Sequence, residues 1–112
     1  LARLVGTGYA KELNFTGDTI DAETGRRLGM VEHVYPKDQV LPEAMKLAKR
    51  LAEGPILGIA MCKQVINRSW DADSETALEF EAIAQTLCLS SKDHKEAVQA
   101  FMEGRKPKYE GS

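Results

Sequence analysis

The chain has 112 residues, 43% of them hydrophobic and 29% charged, the mix of one globular domain; 15 Lys+Arg against 17 Asp+Glu leave a net charge of -2. That balance excludes a global basic field able to hold nucleic acid or an anionic membrane, so any anion binding is local. Cys62 and Cys88 stand far apart with no CxxC or Cys/His pattern, which argues against a metal site or a disulfide framework and fits a reducing, cytoplasmic setting; no run approaches the roughly 18 apolar residues of a membrane span.

The opening "LARLVGTGYAKEL" puts Leu1, Leu4, Val5 and Leu13 at helical spacing with no Ser, Thr, Asp or Asn ahead of them to cap the free N–H groups. The chain reads as starting inside an element, and so as a piece of a longer protein. This helix is predicted to end near Leu13, where "NFTGD" brings turn composition. In "DAETGRRLG", Asp21 is the expected N-cap, Glu23 sits in the first turn, Arg26 and Arg27 in the last, and Gly29 is the stop. "MVEHVYP", rich in β-branched and aromatic residues and closed by Pro36, predicts a short strand, with the extended "FTGDTI" as its pairing partner.

From Asp38 onward the pattern is helical. Leu41, Ala44, Leu47, Ala48, Leu51 and Ala52 form one apolar stripe, and Gly54 with Pro55 ends it. Pro55 is placed in the first turn of the next helix, whose apolar positions are Ile56, Ile59, Ala60, Cys62, Val65 and Ile66. "DADSETALEFEAIAQTLCLSS" predicts a helix with an apolar arc too broad for one neighbour, so that it packs on two sides. "SKDHKEAVQAFMEG" follows, with Ser91 as N-cap, Val98, Phe101 and Met102 as apolar residues and Gly104 as stop. The architecture is mainly α with one small extended patch.

Few residues suggest chemistry. Glu79 and Glu81 are two apart on a helix and point in different directions, so they read as a solvated face. His33 and His94 have no nucleophile or acid at diagnostic spacing, and Cys62 and Cys88 read as packing residues. "GTG" at residues 6 to 8 lacks the strand, third glycine and acidic residue of a dinucleotide fingerprint; Gly17 in "FTGD" reads as a turn residue. No catalytic residue and no metal site is assigned. The tail differs: Phe101, an aromatic ring, lies close in sequence to Arg105, Lys106 and Lys108, a combination suited to a base with phosphates. The bland alternative is that the cations complement the helix C-terminus.

In this order the motifs resemble the enoyl-CoA hydratase/isomerase (crotonase) family. The first stretch carries the resemblance through Leu4, Gly6, Ala10, Leu13, Thr16, Gly17, Ile20, Ala22, Gly29, Met30, Val31 and Pro36, with Gly25 where alanine is usual. Ala44, Leu47, Ala48, Leu51, Ala52, Pro55, Ala60, Lys63, Ile66 and Asn67 continue it. Ser91, Asp93, Glu96, Ala100, Phe101, Arg105, Pro107, Tyr109 and Gly111 complete it.

The resemblance implies the C-terminal helical region of the crotonase-like fold. Residues 1–36 would end the core, 37–112 would form the helical oligomerisation region, and the β-β-α half that holds the oxyanion hole and the acid/base carboxylates would be absent. It implies an enzyme acting on an acyl-CoA thioester as substrate, with no further cofactor, assembled as a trimer or a dimer of trimers; this chain alone would be inactive. It further implies that Phe101 lies near the adenine of coenzyme A. A lysine found in some members three residues after that phenylalanine is Gly104 here, which leaves phosphate contact to Arg105 or Lys106. The rival reading is a free-standing helical assembly module without chemistry.

Overall fold

The computed structural model describes all 112 residues. It contains six helices, α1 (Ala2–Thr16), α2 (Ala22–Arg27), α3 (Val40–Ala52), α4 (Ile56–Arg68), α5 (Ser74–Ser90) and α6 (Lys92–Glu103), and no strand. The chain divides into two compact units, Leu1–Ala44 and Met45–Ser112. The division falls inside α3.

In the first unit, α1 starts at Leu1 without a side-chain cap and is kinked at Gly6, whose φ of 78° and ψ of 161° lie in a region essentially closed to residues with a Cβ. It runs past Leu13 to Thr16 because its polar end bonds back onto itself. The Asn14 amide donates to the Ala10 carbonyl at 2.7 Å and the Thr16 hydroxyl to that of Glu12 at 2.9 Å. This extension removes the expected strand pair. Phe15 and Thr16, which were to open the partner strand, belong to the helix, and Gly17 caps it in the left-handed conformation. With no ladder partner, residues 31–36 form neither helix nor strand and bend at Glu32. Their alternation survives in the rings of His33 and Tyr35, 6.0 Å apart on one side of the chain. α2 is capped as its sequence predicts: the Thr24 N–H donates to Asp21 Oδ1 at 2.7 Å. At its other end the Met30 N–H reaches the Gly25 carbonyl and the Gly29 N–H that of Arg26, the two bonds of a Schellman motif.

In the second unit α5 is central, in contact with both α4 and α6. Much of the broad apolar arc of α5 stays exposed all the same, and the guanidinium of Arg68 on α4 lies 4.4 Å from the centre of the Phe80 ring on α5. Pro55 departs from expectation. It is the N-cap of α4, extended at φ −72° and ψ 90°, so the helix begins one residue later. α5 is capped by Asp73, which accepts from the Thr76 N–H and hydroxyl, and α6 by Ser91, whose Oγ accepts from the His94 N–H at 3.0 Å.

What the helices bury is small. Ala84 and Ala100 are the buried apolar residues of the second unit and Ala10 that of the first; no large side chain is fully enclosed. α3 buries none of its residues, and Leu41, Met45, Leu47 and Leu51 on it are exposed, as are Leu78, Ile83 and Leu87 on α5. The apolar faces of these amphipathic helices therefore remain open to solvent.

Candidate functional site

The residues with the most developed polar geometry are on α6 and the segment after it. Gly104 (φ 67°, ψ 25°) ends α6 in the left-handed conformation, with the Arg105 N–H donating to the Ala100 carbonyl and the Gly104 N–H to that of Phe101. The chain then turns back along the helix. Arg105 forks onto Glu96, Nη1 to Oε1 at 2.6 Å and Nη2 to Oε2 at 3.0 Å, while its Nε donates to Glu103. The Lys108 N–H donates to Glu96 Oε1 at 2.8 Å. Further on, the Glu110 N–H donates to Asp93 Oδ1 at 2.8 Å and the Gly111 N–H to Oδ2 at 3.1 Å. The Ser112 backbone oxygen accepts from the Lys92 and Asp93 N–H groups, covering two of the open donors at the start of α6.

Charge in this cluster is strongly organised. The Arg105 guanidinium, and after it the Lys108 amide, hold the Glu96 carboxyl down to about 2 from an ordinary 4.5. Glu103 is lowered too, first by the Gln99 amide and then by Arg105, and Arg105 itself is raised by Glu96 and then Glu103. Asp93 is 3% exposed, a buried carboxylate whose oxygens are met by backbone amides.

The sequence-derived candidates fall unequally around this cluster. Phe101 is 88% exposed, the largest value among the exposed large apolar residues, so its ring is free to receive a flat partner. Lys106, in the segment after α6, is exposed as well. Arg105 is engaged by two carboxylates and offers no free fork. Glu79 and Glu81 lie exposed on α5, His33 rests against Tyr35, and His94 is half-buried in the first turn of α6. Cys62 is exposed in a groove on α4 with Pro55, Ile59 and Ile66, and Cys88 is half-buried; both are free thiols. No group of three or more His, Cys, Asp or Glu residues is arranged to hold a metal ion. No helix is long and apolar enough to cross a membrane.

The roles of Asp93 and Glu96 were missed from sequence. Their signal was the i, i+3 spacing of two acids on α6 followed by a tail of three cations, which read as dipole compensation.

The family model described as Enoyl-CoA hydratase/isomerase matches residues 1–112. The chain belongs to that family. It is 38% identical over 109 residues to the crotonyl-CoA hydratase of Syntrophomonas wolfei, covering 97% of this chain and 42% of the relative. It is 39% identical to the short-chain-enoyl-CoA hydratase of Clostridium acetobutylicum over 106 residues, 95% of this chain and 41% of that one. Among solved structures, an enoyl-CoA hydratase of Geobacillus kaustophilus superposes with a TM-score of 0.95 at 30% identity, over 99% of this chain and 42% of its own. One from Bacillus anthracis gives 0.93 at 34% identity, over 99% of this chain and 43% of its own. The chain spans about two fifths of the length of the curated relatives it matches. The fold is that of a helical portion of the crotonase-fold enzymes.

Proposed function

We propose that the chain is the C-terminal helical region of an enoyl-CoA hydratase or isomerase, and that in the whole protein it supplies oligomer packing and the rim of the coenzyme A pocket. The protein acts in a reducing, cytoplasmic setting, in keeping with its two free thiols. The reaction is enolate stabilisation by paired backbone donors with proton transfer by carboxylates, all supplied by the part of the enzyme beyond this chain. Phe101 offers adenine a ring to rest on and Lys106 meets a phosphate as a point charge. Arg105, the third residue expected at the rim, contributes by holding the tail.

The observation that carries the rim reading is the 88% exposure of Phe101 on a helix fixed at both ends, by Ser91 and by Gly104. An aromatic ring held open to solvent on a well-anchored helix is a platform. The open faces of α3 and α5 support the packing role, and they are equally what a free-standing assembly module would show; the family match favours the enzyme.

The test uses the full-length protein with an acyl-CoA and with the matching pantetheine thioester. Phe101→Ala and Lys106→Ala are expected to raise KM for the acyl-CoA several-fold, with kcat nearly unchanged, because they grip a part of the substrate that does not react. Neither should alter KM for the pantetheine thioester. Equal effects on both substrates would sink the rim assignment, and turnover by residues 1–112 alone would sink the placement of the chemistry.

A further inference from the structure

We propose that Asp93 and Glu96 are positioning residues: their carboxylates clasp residues 105–112 against α6, and Arg105 belongs to this clasp instead of to a ligand. The inference rests on the proposed coenzyme A rim only for its kinetic arm; the clasp itself is read from the hydrogen bonds.

Three features carry it. First, the two carboxylates lie one helical turn apart on α6, and each takes bonds from residues 9 to 18 positions downstream. A short helix followed by an exposed tail has little else to fix the tail's course, since residues after a helix are ordinarily among the most mobile unless tied down. Second, Asp93 is almost wholly buried, yet its oxygens receive amide N–H groups from Glu110 and Gly111. Buried carboxylates are rare, and one satisfied by the backbone of a distant segment fixes where that segment runs. Third, Glu96 collects the fork of Arg105 and the Lys108 amide together, so the side chain of residue 105 and the backbone of residue 108 are held at one point. Between these two anchors of the tail lies Lys106. Its placement beside α6 therefore follows from Glu96, although Glu96 need not touch a ligand.

An alternative role for Arg105, direct capture of a phosphate, conflicts with its geometry. All three guanidinium nitrogens donate to carboxylates, Nε to Glu103 and both Nη atoms to Glu96. A phosphate would have to displace one carboxylate and leave it beside the incoming anion. Lysine cannot replace arginine in this fork, because an ammonium is a point charge without planar paired donors.

The experiment is made on the full-length protein with Asp93→Asn, Glu96→Gln, Arg105→Ala, Arg105→Lys and the double variant Glu96→Gln with Arg105→Ala. Amide hydrogen exchange is followed at Lys108, Glu110 and Gly111, with trypsin cleavage between Lys108 and Tyr109 as a second reading. Glu96→Gln and Arg105→Ala are each expected to speed exchange at Lys108 by about tenfold or more, the weight of one charge-assisted bond. The double variant should be no worse than either single one, and Arg105→Lys should not rescue. Asp93→Asn should act on Glu110 and Gly111; should its burial impair folding, the partly exposed Glu96→Gln still decides the question. KM for the acyl-CoA should rise equally in Glu96→Gln and Arg105→Ala, without additivity.

Parent-like exchange and cleavage in Arg105→Ala, together with a raised KM, would make Arg105 a ligand residue and overturn the clasp. So would additive effects in the double variant. If exchange responds as expected while no variant, Lys106→Ala included, distinguishes acyl-CoA from pantetheine thioester, the clasp stands and the rim reading fails.

Discussion

The same chemical change, glycine to alanine, is expected to have opposite signs at two positions of this chain, and the structure gives both magnitudes. Gly104 has φ 67°, and a Cβ built there meets nothing within 4 Å. With no clash to add, the whole cost of Gly104→Ala is the left-handed backbone, about 1–2 kcal/mol. Gly25 lies inside α2 with ordinary helical backbone, and its Cβ would sit 3.9 Å from Val31 Cγ2, an ordinary van der Waals contact. There the added methyl removes conformational freedom from the unfolded chain without strain, a gain of about 0.5–1 kcal/mol. The two variants should thus differ by about 1.5–3 kcal/mol on the same estimates. Urea denaturation of the full-length protein, with unchanged slopes, measures both. If Gly104→Ala proves neutral, the Schellman ending of α6 does not hold in solution; if Gly25→Ala destabilises, the site is more crowded than the 3.9 Å contact indicates. Either result refutes the assignment of sign from φ and free space.

Two further outcomes are expected. Glu96 is depressed from 4.5 to about 2, so what it contributes to holding the tail is complete above pH 4.5 and is lost as pH falls through about 2; the Lys108 amide shift should titrate in that low range and move up toward ordinary carboxylate values in Arg105→Ala. The isolated chain should sediment as a species heavier than its 12.4 kDa, because Leu78, Ile83 and Leu87 leave α5 with an open apolar face, and Leu78→Asp should lower that mass; a monomer across a wide concentration range would contradict it.

Features set by nearby residues were legible in the sequence. Asp21 and Ser91 cap helices through bonds to amides three residues on, and Gly29 and Gly104 take the left-handed stops, because each depends on a side chain or its absence within one turn. The width of the apolar arc of α5 agrees with its contact with both α4 and α6, although much of that arc stays exposed. The strand pair failed because pairing is not local: "MVEHVYP" has strand composition, but its intended partner lost Phe15 and Thr16 to α1. Pro55 failed by one position, where cap and first turn share the same φ. The clasp was hidden for another reason. Lys108, Glu110 and Gly111 enter it through backbone N–H groups, which every non-proline residue has, so residue identity at those positions carries no trace of the bond.

That concealment bears on how the tail's charge should be understood. By sequence, Arg105, Lys106 and Lys108 are three equivalent cations. In the structure Arg105 lies between Glu96 and Glu103, so this trio carries one positive and two negative charges and by itself repels an anion. On the proposed rim reading, attraction for a phosphate comes from Lys106 and Lys108, and the clasp is what holds their stretch of backbone beside α6. Arginine and lysine thus divide the work along their chemistry. The rigid fork suits a fixed bidentate partner within the protein, and the flexible ammonium suits a ligand that arrives and leaves. A tail without the clasp would keep its net charge but scatter it, and a ligand would then bear the cost of ordering the tail each time it bound. Holding the tail in advance with Asp93 and Glu96 moves that cost into folding, which is why the effect of either carboxylate on substrate binding should appear as KM while the carboxylates themselves stay away from the ligand.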